Sequence, residues 1–311
     1  MKNYFLLLCL CLSFQLNAQV DSLQLKKESR FKVASKILKN SFLSVPGDFS
    51  EMGKSISKDW KKTATYAGGI LGLIAIDKYT TSFLHNHIEP AIDYKIPNIA
   101  IGNNTYPWIS SNDAYISYPL IGLYAGSIIT NSEKGQIAAV NSFKALSYSI
   151  LISHLIFKAV FARNRPFRRV DSSLPAPEPW TKDPWDFGNF HSIKLNSHAY
   201  GTAFPSLHAT AFFSIAKVIQ MEYDNYWIPY TFMSAVFLAD IKGHNHWVSD
   251  LVLGGIIGTI IGRSTVLSSR KQIAKANNGL SQRSKNKFKL NKQLIPQVSK
   301  NMVGLHFVGS F

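Results

Sequence analysis

Six apolar segments constrain this chain more than any other feature: residues 64–76, 114–130, 147–161, 208–220, 226–241 and 248–262. In each, the apolar residues recur at helical rather than alternating spacing, and Gly, Pro or charge separates one segment from the next. That pattern predicts an all-α fold, a helical bundle of about six core helices. Most of the segments are shorter than the roughly 20 residues that a bilayer crossing needs. His154 and Lys158 lie inside them, and Lys144 just before one. Such residues are costly in lipid but ordinary in a bundle built around a polar site.

The flanking regions differ in character. Residues 1–18 begin with a basic start, Met1-Lys2-Asn3-Tyr4, followed by an apolar run to Phe14 and a small residue, Ala18. This is the layout of a secretory signal peptide cut after Ala18. Both cysteines, Cys9 and Cys11, fall within it. The exported chain therefore has no thiol for disulfides, zinc or nucleophilic catalysis. Residues 19–63 are polar and rich in Lys and Ser, with helical stretches at 35–44 and 49–62. Residues 64–265 form the helical domain, and 266–311 are a basic tail whose last part, 293–311, reads as a short β-hairpin. A long connection, 167–203, holds four prolines and two tryptophans and reads as an ordered flap. The formal net charge of +16 points to an anionic partner. Export argues against nucleic acid and leaves a phosphorylated substrate or an anionic membrane surface.

The chemistry-bearing residues cluster where apolar helices begin or end. Lys158 and Arg165 lie seven residues apart near one helix end, followed by Pro166. A guanidinium fork and a lysine point charge can hold a phosphate from two directions. Pro205-Ser206-Leu207-His208 opens the next helix. There, unpaired backbone N–H groups make an anion site, Ser206 is placed to cap or to donate, and His208 to protonate a leaving group. His246 and Asp250, four apart, share a helix face, so the carboxylate can fix the imidazole tautomer. A metal site built from His244, His246 and Asp250 fits no trusted zinc spacing and is a minor alternative.

Taken together, Lys-x6-Arg-Pro, Pro-Ser-x-His and His-x3-Asp in this order resemble the type 2 phosphatidic acid phosphatase family. Its superfamily also holds bacterial acid phosphatases and vanadium haloperoxidases. The resemblance implies a bundle whose helix ends converge on one phosphate pocket, and a metal-independent phosphatase acting on a phosphate monoester or diphosphate, lipid or small molecule. It assigns the phosphoryl oxygens to Lys158, Arg165 and Ser206, with the Leu207 N–H beside them. His208 becomes the general acid, His246 the nucleophile of a phosphohistidine, and Asp250 its orienting carboxylate. No cofactor is implied, although vanadate would occupy the cradle as a phosphate analogue.

Two positions depart from the family pattern. Leu207 stands where Gly is usual, and Asp240 stands where an Arg normally precedes the nucleophile by six residues. Lys242 or Arg163 is then expected to supply the missing charge, or Asp240 to turn away from the pocket. Two alternatives stay open: a catalytically impaired phosphate- or lipid-binding envelope protein, and a vanadate-dependent haloperoxidase. The expected location is the bacterial periplasm or the envelope membrane, with an outward-facing site.

Overall fold

The computed structural model describes residues 28–99, 113–192, 199–285, 291–299 and 302–310; Asp240, His244 and everything from residue 279 on are described by backbone alone. The expected signal peptide lies outside the described residues.

Each apolar segment is a helix, and the fold is all-α. Helix α1 is Arg30–Ser57 and α2 is Trp60–Phe83, extended by a π-helical turn, Leu84–Ile88, and a last turn, Glu89–Ala91. Helix α3 is Ala114–Ile129; α4 is Glu133–Ser149, running on through a π-helical stretch, Ile150–Phe157, into the turn Lys158–Phe161. Helices α5 (Leu207–Tyr223), α6 (Trp227–His244) and α7 (Val248–Lys285) complete the bundle. Beyond α7, Asn291–Ser299 and Met302–Ser310 pair as antiparallel strands β1 and β2, with Ser299 opposite Met302.

Two expectations about the N-terminal region change. The stretches 35–44 and 49–62 belong in part to one helix: α1 continues through Pro46, and the real break falls at Asp59, whose carboxylate caps α2 by accepting from Lys62 N at 3.1 Å. An interior proline removes one helical hydrogen bond. Here the packing against α7 offsets that loss. Gly47 lets the Ser268 side chain approach closely, and Ser268 Oγ donates to the Ser44 carbonyl at 2.9 Å. The helices also ignore the boundaries drawn at 63/64 and 265/266, because α2 starts at Trp60 and α7 runs to Lys285.

Small residues set how the central helices meet. Gly254, Gly258 and Gly262 form a stripe on α7, four residues apart, and a Cβ at any of them would strike the α5 backbone near Ser206, Thr210 or Ser214. Side-chain-free contact of this kind brings two helix axes close together. Between α4 and α5, hydroxyls pair across the seam: Ser149 with Ser214 at 3.1 Å and Ser153 with Thr210 at 2.8 Å. The main apolar core gathers Ile116, Leu120, Leu146, Phe212, Ile215, Met233 and Val236 from α3 to α6. Two helical runs, Glu133–Phe161 and Val248–Asn278, are long and apolar enough to cross a membrane.

Candidate active site

The chain leaving α4 is held as an extended ribbon. Ala162 takes a left-handed conformation, φ 44°, which ends the helix and turns the chain. Arg163 then bridges to Thr202 and Pro166 to Thr181 in parallel fashion. Asn164 N donates to Asp186 O at 3.1 Å, and Thr181 N to Arg165 O at 3.0 Å. The long connection therefore acts as the ribbon's pairing partner. It brings the first sequence motif beside the start of α5.

Helix α5 opens with Ser206 as N-cap, fully buried, its Oγ accepting from Ala209 N at a long 3.4 Å. Such a bond is weak. Ser206 N donates to the Asp250 carbonyl at 3.0 Å, tying the second motif to the third. The Leu207 N–H at the first helical position has no acceptor among the described residues, as expected of a helix start.

Helix α7 begins with a half capping box. Asp250, at the third position, reaches back so that its Oδ2 accepts from Trp247 N at 2.9 Å. The same oxygen lies 3.4 Å from His246 Nδ1. Its other oxygen accepts from Arg163 Nη1 at 2.7 Å. Asp250 is wholly buried, and burial pushes its carboxyl above the usual range, against the pull of Arg163 and the Trp247 N–H. A position in the first turn, near the positive end of the helix dipole, also favours the carboxylate.

Besides Arg163, two further cations face this carboxylate. Lys158 is buried, and among the described residues its ammonium makes no hydrogen bond or ion pair. Burial first, then repulsion from Arg165, pulls its pKa down to about 7, while Asp250 opposes that fall. Burial likewise brings Arg165 down to about 10, again opposed by Asp250; its Nε donates to Thr202 Oγ1 at 3.2 Å. Lys158, Arg165, Ser206, His246 and Asp250 are thus gathered at one end of the bundle. Charge repulsion between Lys158 and Arg165 makes this a place an anion would relieve. His208, the second residue of α5, is part-buried, and its Nε2 lies 3.1 Å from Asp113 Oδ1.

Neither residue expected to replace the missing third-motif cation joins the group. Lys242 is exposed and donates to the Ile92 carbonyl at 2.7 Å, on the side of α2. Arg163 is fully engaged: besides Asp250 it donates to Asp77 Oδ2 at 2.8 Å, Ser249 Oγ at 2.8 Å and Pro184 O at 2.6 Å. Phe187, Phe204 and Trp247 enclose its guanidinium at 5.0, 5.8 and 4.9 Å from their ring centres. The side chains of Asp240 and His244 lie outside the description.

Two carboxylates escaped sequence reasoning. Asp77 of α2 grips Arg163 and also accepts from Ser249 N at 3.0 Å and from the Ser249 hydroxyl. Asp113 precedes α3 and meets His208. Neither belongs to a local motif, so no spacing signal could have flagged them.

Residues 141–274 fit the sequence model of the PAP2 superfamily. No curated protein and no solved structure matches the chain. The matched stretch contains Lys158 through Asp250, whereas Asp77 and Asp113 lie before it. It brings phosphatase-type chemistry and phosphorylated substrates in the broad sense.

Proposed function

With residues 141–274 matching the PAP2 superfamily, we propose that this chain hydrolyses a phosphate monoester or diphosphate through a phosphohistidine at His246. The observation that carries this reading is the His246 Nδ1 contact with Asp250 Oδ2 at 3.4 Å, made beside two buried cations that both feel Asp250. With Nδ1 on the carboxylate, Nε2 keeps its lone pair for phosphorus. Lys158 and Arg165 hold the phosphoryl oxygens, with the Ser206 hydroxyl and the Leu207 N–H adding donors. This cradle stabilises the charge spread over the transferring group. As Nε2 bonds to phosphorus the ester P–O bond breaks, and His208 gives the leaving oxygen a proton. Water then cleaves the P–N bond, with the neutral His208 taking a proton from it, which restores both imidazoles. The substrate, lipid or soluble, is phosphorylated, and export places the reaction in the envelope.

A second reading rests on the absent third-motif cation. Asp240 replaces Arg, Arg163 is committed to two carboxylates and Lys242 turns away, which favours a protein that binds phosphate and turns it over poorly. One experiment separates the two. The purified chain is assayed with p-nitrophenyl phosphate across an acidic-to-neutral pH series, and [32P]phosphate trapping is run on acid-quenched protein. Turnover with an acid-labile label, both lost in His246→Ala, supports the hydrolase. Measurable phosphate binding with no turnover at any pH supports the impaired binder, and full activity in His246→Ala removes the mechanism.

A further inference from the structure

Helix α1 carries a continuous apolar stripe that the bundle covers only in part. Phe31, Leu38, Phe42, Phe49 and Ile56 follow one another at steps of 7, 4, 7 and 7 residues, and their exposures are 83, 40, 77, 43 and 50%. At 100° per residue these five side chains fall within an arc of about 40°. The stripe lies between two other faces of the same helix. On one side Ala34, Ile37, Ser41 and Asp48 are buried against the bundle. On the other stand Lys32, Lys36, Lys39 and Lys54. Leu38 and Phe42 also form one wall of a groove of about 540 Å³, completed by Val45, Tyr124, Val140 and Phe143.

We infer that α1 is an interfacial helix that seats this stripe in the headgroup–acyl boundary of an anionic phospholipid surface. A helix with an aromatic and aliphatic stripe beside a lysine face is the pattern that lies in such an interface. Charge decides against a second copy. The acidic groups on and just before α1 are already engaged: Asp48 with Lys144 at 2.7 Å, Glu51 with Lys54 and Lys271 at 3.2 and 2.8 Å, and Glu28 with Lys32 at 3.0 Å. Two stripes packed together would bring two lysine faces side by side, whereas anionic headgroups complement them. The groove extends the apolar surface toward α3 and α4. This inference does not depend on the hydrolase reading, because no residue of the stripe belongs to the catalytic group.

The test uses the chain beginning at Gln19, so that the leader contributes nothing. Flotation is measured with vesicles of phosphatidylcholine alone and of equal parts phosphatidylcholine and phosphatidylglycerol, at low and high salt. The comparison is Phe31→Glu/Phe42→Glu, two exposed positions, with far-UV circular dichroism to verify the helix content. The expected result is binding to the anionic vesicles that weakens with salt and falls about a hundredfold or more in the double variant. Equal flotation of the two proteins would overturn the inference. So would a dimer, seen by sedimentation velocity, that the double variant dissolves.

Discussion

Asp77 and Asp250, 173 residues apart in sequence, hold the same guanidinium: Arg163 Nη2 meets Asp77 Oδ2 at 2.8 Å and Nη1 meets Asp250 Oδ1 at 2.7 Å. All three side chains are fully buried. Burial drives both carboxyls toward the neutral form; the Ser249 hydroxyl and then Arg163 oppose it at Asp77, and Arg163 first of all at Asp250. The orientation of His246 therefore rests on a helix that lies outside the sequence stretch carrying the motifs.

Removing one partner of such a network leaves a buried charge uncompensated. Asp77→Ala is expected to cost roughly 3–5 kcal/mol of stability, read from urea denaturation. Asp77→Asn, which keeps an acceptor for Ser249, should fold and show kcat lowered by about 10–100-fold with KM little changed. A loss confined to KM would mean that Asp77 does not act through His246.

Asp113 is expected to matter according to the leaving group. Its carboxylate holds the ring of His208 through Nε2. Asp113→Asn should slow hydrolysis of an alkyl phosphate by about 10–100-fold and of p-nitrophenyl phosphate much less, because a good leaving group needs little protonation. Equal slowing of both esters would refute the assignment of His208 as the acid.

Phosphate affinity should depend on pH through Lys158. Its pKa of about 7 means that well below pH 7 the ammonium is already charged and adds no pH dependence of its own. Above pH 7 the anion must bring a proton with it, so Kd should rise about tenfold per pH unit until the anion-bound pKa is reached. Isothermal titration with vanadate or phosphate in wild type and Lys158→Met reads this directly, and the variant should lose the slope.

The small-residue seam yields a stability prediction independent of chemistry. At Gly258 a Cβ would press on the Thr210 carbonyl and lie 3.0 Å from Ser214 N and 3.1 Å from the Phe213 Cβ. Gly258→Ala should therefore destabilise by about 1–3 kcal/mol, whereas Gly243→Ala, with open space around it, should stay within about 0.5 kcal/mol or gain. Thermal melts of the two variants provide the comparison.

Much of the fold is written in local pattern. Helices α5, α6 and α7 start at Leu207, Trp227 and Val248, within a residue of the apolar segments read from the sequence. Pro46 and Gly47 fall between the stretches 35–44 and 49–62, yet α1 runs through them and packs there on Ser268 of α7, more than two hundred residues away. The site divides in the same way. Lys158, Arg165, Ser206, His246 and Asp250, all singled out near helix ends, are brought together, whereas His208 meets Asp113. Lys242 and Arg163 had suitable charge and sequence position, yet the backbone delivers one to Ile92 and the other to a pair of carboxylates.

By itself the sequence determined which stretches are helical and which side chains stand at their ends, since periodicity and capping act over a few residues. Only the tertiary structure decided which charges face one another: Asp77 with Arg163, Asp113 with His208, Lys158 with none but its electrostatic neighbours. The reason is that Coulomb energy depends on distance through space and on the surrounding dielectric. Neither quantity exists until the helices have packed.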